Sequence, residues 1–198
     1  GYRVEGEVEA CNPALCLRFR ADGGEWHRVQ THLIGAYNLT NVLAAISVGT
    51  HFGVTPEQAA EAIAAYIPTN NRSELVRTAQ NELIVDAYNA NPTSMKAALD
   101  NFALIPHPHK MLVLGEMREL GVESAAAHRA VAEQAASLHA DEVWLVGEEF
   151  QPYAAGARWF PDVEAVENAL QGGCCPVESL VLIKGSNGTK LYRLPKFF

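Results

Sequence analysis

The sequence predicts an α/β protein whose larger part is a doubly wound, mostly parallel sheet. Three observations carry that expectation. From Leu83 onward, short apolar runs alternate with segments of helical period, the pattern of strand–helix–strand units with right-handed crossovers. The short runs are apolar at nearly every position, as strands buried on both faces are. The segment before them is organised differently, and Pro68 to Asn71 reads as a linker, so a boundary is placed between residues 1–69 and 70–198.

In the first part, Val4, Leu15, Leu17 and Phe19 lie in alternating patterns beside the turn signals Cys11-Asn12-Pro13 and Asp22-Gly23-Gly24, which predicts short strands. Leu39, Val42, Leu43, Ile46 and Val48 recur with helical period, so a helix is expected from Asn38 to Phe52, stopped by Gly53. Thr55-Pro56-Glu57 then opens a second helix, with Thr55 as cap and Pro56 at the first position, running to about Tyr66. In the second part the expected strands are Leu83–Asp86, Lys110–Leu114, Glu142–Val146 and Leu180–Ile183. The expected helices are Thr93–Leu104, Ser124–Leu138 and Val163–Leu170.

Composition narrows the function. The 198 residues carry a net charge of −8, which argues against a nucleic-acid or anionic-membrane partner while leaving room for a small anion at a local positive site. No stretch has the apolar length of a membrane span, and the charged first twenty residues do not resemble a signal peptide. Cys11, Cys16, Cys174 and Cys175 lack zinc spacing and read as reduced thiols, so a cytoplasmic protein is expected, and separately a monomer. The chain begins Gly1-Tyr2-Arg3, and the expectation is a processed chain or a piece of a longer one.

The polar residues gather after the strands. Leu83–Val85 leads into Asp86-Ala87-Tyr88-Asn89-Ala90-Asn91-Pro92, Met111–Leu114 into Gly115-Glu116-Met117-Arg118-Glu119-Leu120-Gly121, Val143–Val146 into Gly147-Glu148-Glu149, and Val181–Ile183 into Lys184-Gly185-Ser186-Asn187-Gly188. In an open parallel sheet these loops share the carboxyl edge, where ligands bind. Singly, each residue has two readings. Asp86 could accept a ribose diol or cap the next helix. Asn89 and Asn91 could bind a ligand or simply turn the chain before Pro92. Lys184 beside Gly185 and Gly188 could hold an anion or be a solvated charge. His128 reads as a structural histidine, and His107 and His109 as solvated. No Walker A loop, metal cluster or Ser/His/Asp spacing is present in the sequence.

The combination is more specific. Gly35-Ala-Tyr-Asn38-Leu-Thr-Asn41-Val-Leu-Ala-Ala45, Asn71-Arg72-Ser73-Glu74, Asp86-Ala-Tyr-Asn-Ala-Asn-Pro92 and Lys184-Gly-Ser-x-Gly188 stand in one order and spacing, with the Gly115–Gly121 loop and His128 between the last two. Together they resemble the Mur ligase family over about residues 32 to 194. Within it they resemble the branch that joins D-alanyl-D-alanine to a UDP-N-acetylmuramoyl-tripeptide. Tyr37 stands where that family usually has His, and Asn187 where Arg is common.

The resemblance implies a Rossmann-like C-terminal domain at 70–198, preceded at 1–69 by the tail of a P-loop ATPase-type central domain. It implies an ATP-dependent acid–D-amino-acid ligase in peptidoglycan precursor synthesis, working through an acyl phosphate, with this piece inactive alone. ATP and Mg2+ are the implied cofactors, the metal ligands being expected upstream of Gly1. Arg72 would be catalytic, reaching the terminal phosphate. Asn38 and Asn41 would contact adenine, Asp86 would hold the ribose, and Tyr88 would line the nucleotide cleft. Asn89, Asn91 and Lys184 would meet substrate, Lys184 at the dipeptide carboxylate. Two alternatives remain open: a folyl-polyglutamate or cyanophycin type of ligase in the same family, and a non-catalytic nucleotide- or peptide-binding module.

Overall fold

The computed structural model describes residues 3–69 and 71–198, and the chain divides into two compact units, Gly1–Pro68 and Thr69–Phe198. In the first unit, β1 (Val4–Cys11), β2 (Ala14–Ala21) and β3 (His27–Ile34) form an antiparallel sheet in sequence order. Its two faces differ sharply. Leu15, Leu17 and Phe19 of β2 and Val29 of β3 pack on Val42, Ile46 and Ala59, which come from α1 (Asn38–His51) and α2 (Pro56–Ala65). The other face is a ladder of charge. Glu5 stands opposite Arg20 and Glu7 opposite Arg18, both ion-paired, Arg28 binds Glu9 at 2.6 Å, and Trp26 lies under the Arg18 and Arg20 guanidinium groups. Helix α2 starts as its sequence dictates. The Thr55 hydroxyl accepts from the Gln58 N–H at 3.3 Å, and the Gln58 side chain accepts from the Thr55 N–H at 3.0 Å.

The second unit holds a six-stranded sheet in the order β4-β5-β9-β6-β7-β8. Its strands are β4 (Glu74–Arg77), β5 (Asn81–Asp86), β6 (Lys110–Gly115), β7 (Glu142–Val146), β8 (Arg158–Phe160) and β9 (Ser179–Lys184). All neighbours are parallel except β4, which runs antiparallel to β5. The mostly parallel α/β sheet expected from the sequence is therefore present. Strands β4 and β8 were not expected: both are short edge strands carrying charged residues, so neither shows the continuous apolar run that marks the central ones.

Alternate residues of the central strands serve opposite faces. Leu83, Val85, Met111, Val113, Trp144, Val146, Val181 and Ile183 face a core closed by Val163, Val166 and Leu170, with Leu191, Leu194 and Phe198 from the segment after β9. The intervening Ile84, Leu112, Leu145 and Leu182 are equally buried on the opposite face. The helices left to cover that face are α3 (Pro92–Leu104) and α4 (Ser124–Ser137), which pack on each other, while α5 (Val163–Ala169) lies on the first. This arrangement leaves the carboxyl ends of β5, β9, β6 and β7 side by side, with their loops along one rim.

Candidate functional site

The rim begins with a buried ion pair. Asp86 and Lys184 are register partners at the ends of parallel β5 and β9, and Lys184 Nζ lies 2.5 Å from Asp86 Oδ2. The Lys184 side chain is 1% exposed and that of Asp86 15%. The ammonium also donates to the Asn89 carbonyl at 3.4 Å, so it ties the 86–91 turn to the strand ends. What Lys184 meets is the protein's own carboxylate. The expected contact with a dipeptide carboxylate is not open to a group this deeply buried.

Beside this pair, the Arg72 guanidinium stacks on the exposed Tyr88 ring, 3.9 Å from its centroid. Asn71 and Ser73, on either side of Arg72, both adopt positive φ, 56° and 51°, a conformation most side chains avoid. The Asn71 carbonyl accepts the Ala87 N–H at 2.9 Å, so the Arg72 turn is tied directly to the end of β5. Arg72 belongs to the second unit and stands with Asp86 and Tyr88 on one rim.

Asn89 is exposed. Asn91 is the cap of α3: its Oδ1 accepts the Ser94 N–H at 2.8 Å, and the Ser94 hydroxyl accepts the Asn91 N–H at 3.1 Å. In the first unit, Asn38 donates to the Ile34 carbonyl at 2.8 Å and accepts from Asn41 at 3.1 Å, so the two carboxamides share one helix face. Asn38 is buried and Asn41 exposed.

Further along the rim a cleft of about 180 Å3 opens past β6, β7 and β9, lined by Glu116, Arg118, Asp162, Glu164, Thr189 and Lys190 among others. The loop that carries Arg118 is held at several backbone points. The Glu116 N–H donates to the Val146 carbonyl at 2.9 Å, the Ser186 N–H to the Glu116 carbonyl at 3.3 Å, and the Arg118 N–H to the Ser186 hydroxyl at 3.1 Å. The Arg118 guanidinium rests against Gly188, where a Cβ would come within 2.5 Å of it. Glu116 lies 3.4 Å from Arg118. At the cleft edge a hydrogen bond from Arg193 holds the Glu164 carboxyl below the usual carboxylate range, so it is charged at neutral pH. Reading the sequence placed this loop on the rim but did not single out Arg118. The available signal was an Arg three residues past the end of an apolar strand. Among the described residues, no group of three or more His, Cys, Asp or Glu could hold a metal ion.

The chain is thus an α/β protein whose doubly wound sheet gathers an acid, a stacked guanidinium and an Arg-bearing cleft along its carboxyl edge, the edge at which such sheets bind ligands. The comparisons with known proteins narrow that class. The family model described as "Mur ligase, glutamate ligase domain" matches residues 71–187, and the chain belongs to the Mur ligase family. It is 34% identical over 180 residues to the UDP-N-acetylmuramoyl-tripeptide–D-alanyl-D-alanine ligase of Bacillus subtilis, covering 83% of this chain and 38% of that protein. It is 36% identical over 164 residues to the Escherichia coli enzyme of the same name, covering 80% and 36%. Among solved structures, a MurF from Acinetobacter baumannii superposes with a TM-score of 0.81 at 28% identity, over 95% of this chain and 43% of that one. The Thermotoga maritima MurF in complex with ADP has the same fold, with a TM-score of 0.79 at 19% identity over 100% of this chain and 45% of that one. The chain thus spans 36–45% of the length of these relatives.

Proposed function

We propose that the chain is the C-terminal part of an ATP-dependent ligase that joins D-alanyl-D-alanine to a UDP-N-acetylmuramoyl-tripeptide in the cytoplasm. Residues 70–198 would be its C-terminal domain, and 1–69 the end of its ATP-binding central domain. The observation that carries this reading is the joined turn in which Arg72, stacked on Tyr88, is hydrogen-bonded through Asn71 to Ala87, next to the Asp86 carboxylate. It sets a fixed cation and a fixed acid at one strand end, in a chain 34–36% identical to ligases of that name.

The donor set suits a nucleoside triphosphate. Asp86 engages Lys184 through Oδ2, and its second oxygen is an acceptor for ribose hydroxyls. Arg72, stacked on the Tyr88 ring, presents a planar fork matched to phosphate oxygens. In the first unit, taken by itself, we assign the adenine edge to the exposed Asn41 carboxamide, which the buried Asn38 holds in place by accepting a hydrogen bond from it. ATP, when bound, activates the tripeptide carboxylate as an acyl phosphate. Among the described residues none is assigned to Mg2+. Here the protein's own residues neutralise and align rather than attack, as phosphoryl and acyl transfer of this kind requires.

For the incoming dipeptide we assign Arg118 to the terminal carboxylate, with Glu116 as an acceptor for the amine. Lys184 acts through Asp86, holding its carboxylate in place. Asn89 lines the entry, and Asn91 fixes the turn from below as the cap of α3.

The test is phosphate release by the full-length protein carrying this chain. With ATP and UDP-N-acetylmuramoyl-tripeptide, release should depend on D-alanyl-D-alanine. Equal release with glutamate or with an aspartate–arginine acceptor in its place, or none with any acceptor, overturns the reading.

A further inference from the structure

His128 is completely buried, on the second turn of α4, and its ring bonds to the rim. Its Nε2 accepts the Met117 N–H at 2.9 Å. Its Nδ1 lies 2.8 Å from the Ser124 carbonyl, which can only accept, so Nδ1 carries the proton and Nε2 the lone pair. The Ser124 hydroxyl, 3.2 Å from Nδ1, donates in turn to Glu149 at 2.7 Å, and the Phe150 ring meets the imidazole edge-on with centroids 4.7 Å apart. The imidazole therefore has one tautomer and one orientation, both set by α4 and the turn after β7.

The group it holds is a backbone amide in a loop with no ladder of its own. Met117 is 2% exposed, and a buried N–H there needs an acceptor. The next residue is Arg118, whose own N–H is held by Ser186. Two consecutive amides are thus fixed by two different elements, α4 and the loop after β9, and the side chain that follows is aimed into the cleft across Gly188.

We propose that His128 is a positioning residue for the acyl acceptor: by accepting from Met117 it sets where Arg118 presents its guanidinium to the carboxylate of the incoming dipeptide. This rests on the function proposed above for the cleft.

Two variants of one chemistry separate this role from general support of the fold. His128→Gln carries an amide oxygen out to the place of Nε2, while His128→Asn carries its amide only as far as Nδ1 and does not reach Met117. In the full-length enzyme, His128→Asn should raise the KM for D-alanyl-D-alanine roughly tenfold while leaving the KM for ATP unchanged, because misplacing a binding group by a fraction of an ångström has an effect of that order. His128→Gln should restore most of the loss. Hydrogen exchange at the amides of residues 117 and 118 should quicken in the Asn variant and not in the Gln variant. The proposal is overturned if the two variants behave alike, if the KM for ATP rises as much as that for the dipeptide, or if exchange at 117 and 118 is unchanged. A wild-type enzyme that does not use the dipeptide overturns the function proposed for the chain instead, and the exchange measurement still decides whether His128 clamps the loop.

Discussion

Lys184 and Asp86, nearly a hundred residues apart in sequence, meet at 2.5 Å across the ends of two parallel strands, with the lysine side chain 1% exposed. A charge taken this far from water is tolerated only because its partner is fixed by the same register. Lys184→Met should therefore lower stability by about 3 kcal/mol, through the half-buried carboxylate it leaves unpaired. The double variant Lys184→Met with Asp86→Leu should recover much of that stability and none of the activity. Urea unfolding of the three proteins checks both statements.

Arg72 is the cation that faces outward at this edge. Arg72→Lys keeps the charge but loses the fork and the flat stacking on Tyr88. Ligation by the full-length enzyme should fall roughly 100-fold in Arg72→Ala and nearly as far in Arg72→Lys. Tyr88→Leu should reduce it much less. Steady-state kinetics of the three variants at saturating dipeptide measure this.

Asn91 has a structural duty that can be separated from any contact with substrate. Asn91→Ala removes the cap of α3 and should cost about 1 kcal/mol. Asn91→Asp restores the cap, so thermal unfolding should return to the wild-type value. If Asn91 also touches substrate, activity stays low in the stable Asp variant. If capping is its whole role, activity returns with stability.

Arg193 joins the segment after β9 to α5 through Glu164 at 2.6 Å and Glu167 at 2.8 Å. Its hydrogen bond lowers the Glu164 carboxyl, so the contribution of this pair is present above the ordinary carboxylate range and is lost as pH falls through the lowered value. The denaturation midpoints of wild type and Arg193→Leu should differ at neutral pH and converge as pH falls below the ordinary carboxylate range. A gap that stays constant with pH would show that Arg193 acts by packing alone.

The central strands were legible because each is a continuous apolar run, and the helices because of their apolar period, helped in α2 by the Thr55-Pro56 start; the cap of α3 is Asn91, read from sequence only as a turn or ligand residue, and not Asp86. Strand β4 was hidden by Glu74 and Arg77 at its ends, and β8 by being three residues long. On the rim, the loops could be placed from the ends of the strands alone. The burial of Lys184 could not, because it depends on β9 entering the sheet next to β5, a pairing that nothing local to residue 184 encodes. His128 could be read as structural, but its target, an amide eleven residues back in an irregular loop, has no periodic signature.

The position of β9 also governs how this unit comes into being. The strand made after all the others is the one that lies between β5 and β6. Before residues 179–184 are made, β4–β5 and β6–β7–β8 have no strand in common, and the edges of β5 and β6 lack the neighbour they have in the finished sheet. Only the arrival of residues 179–184 fuses them, and the same event brings Lys184 to Asp86. Closure of the sheet and placement of Lys184 against Asp86 thus depend on the same six residues, and a chain lacking them would leave two unpaired strand edges, the kind of edge that invites association.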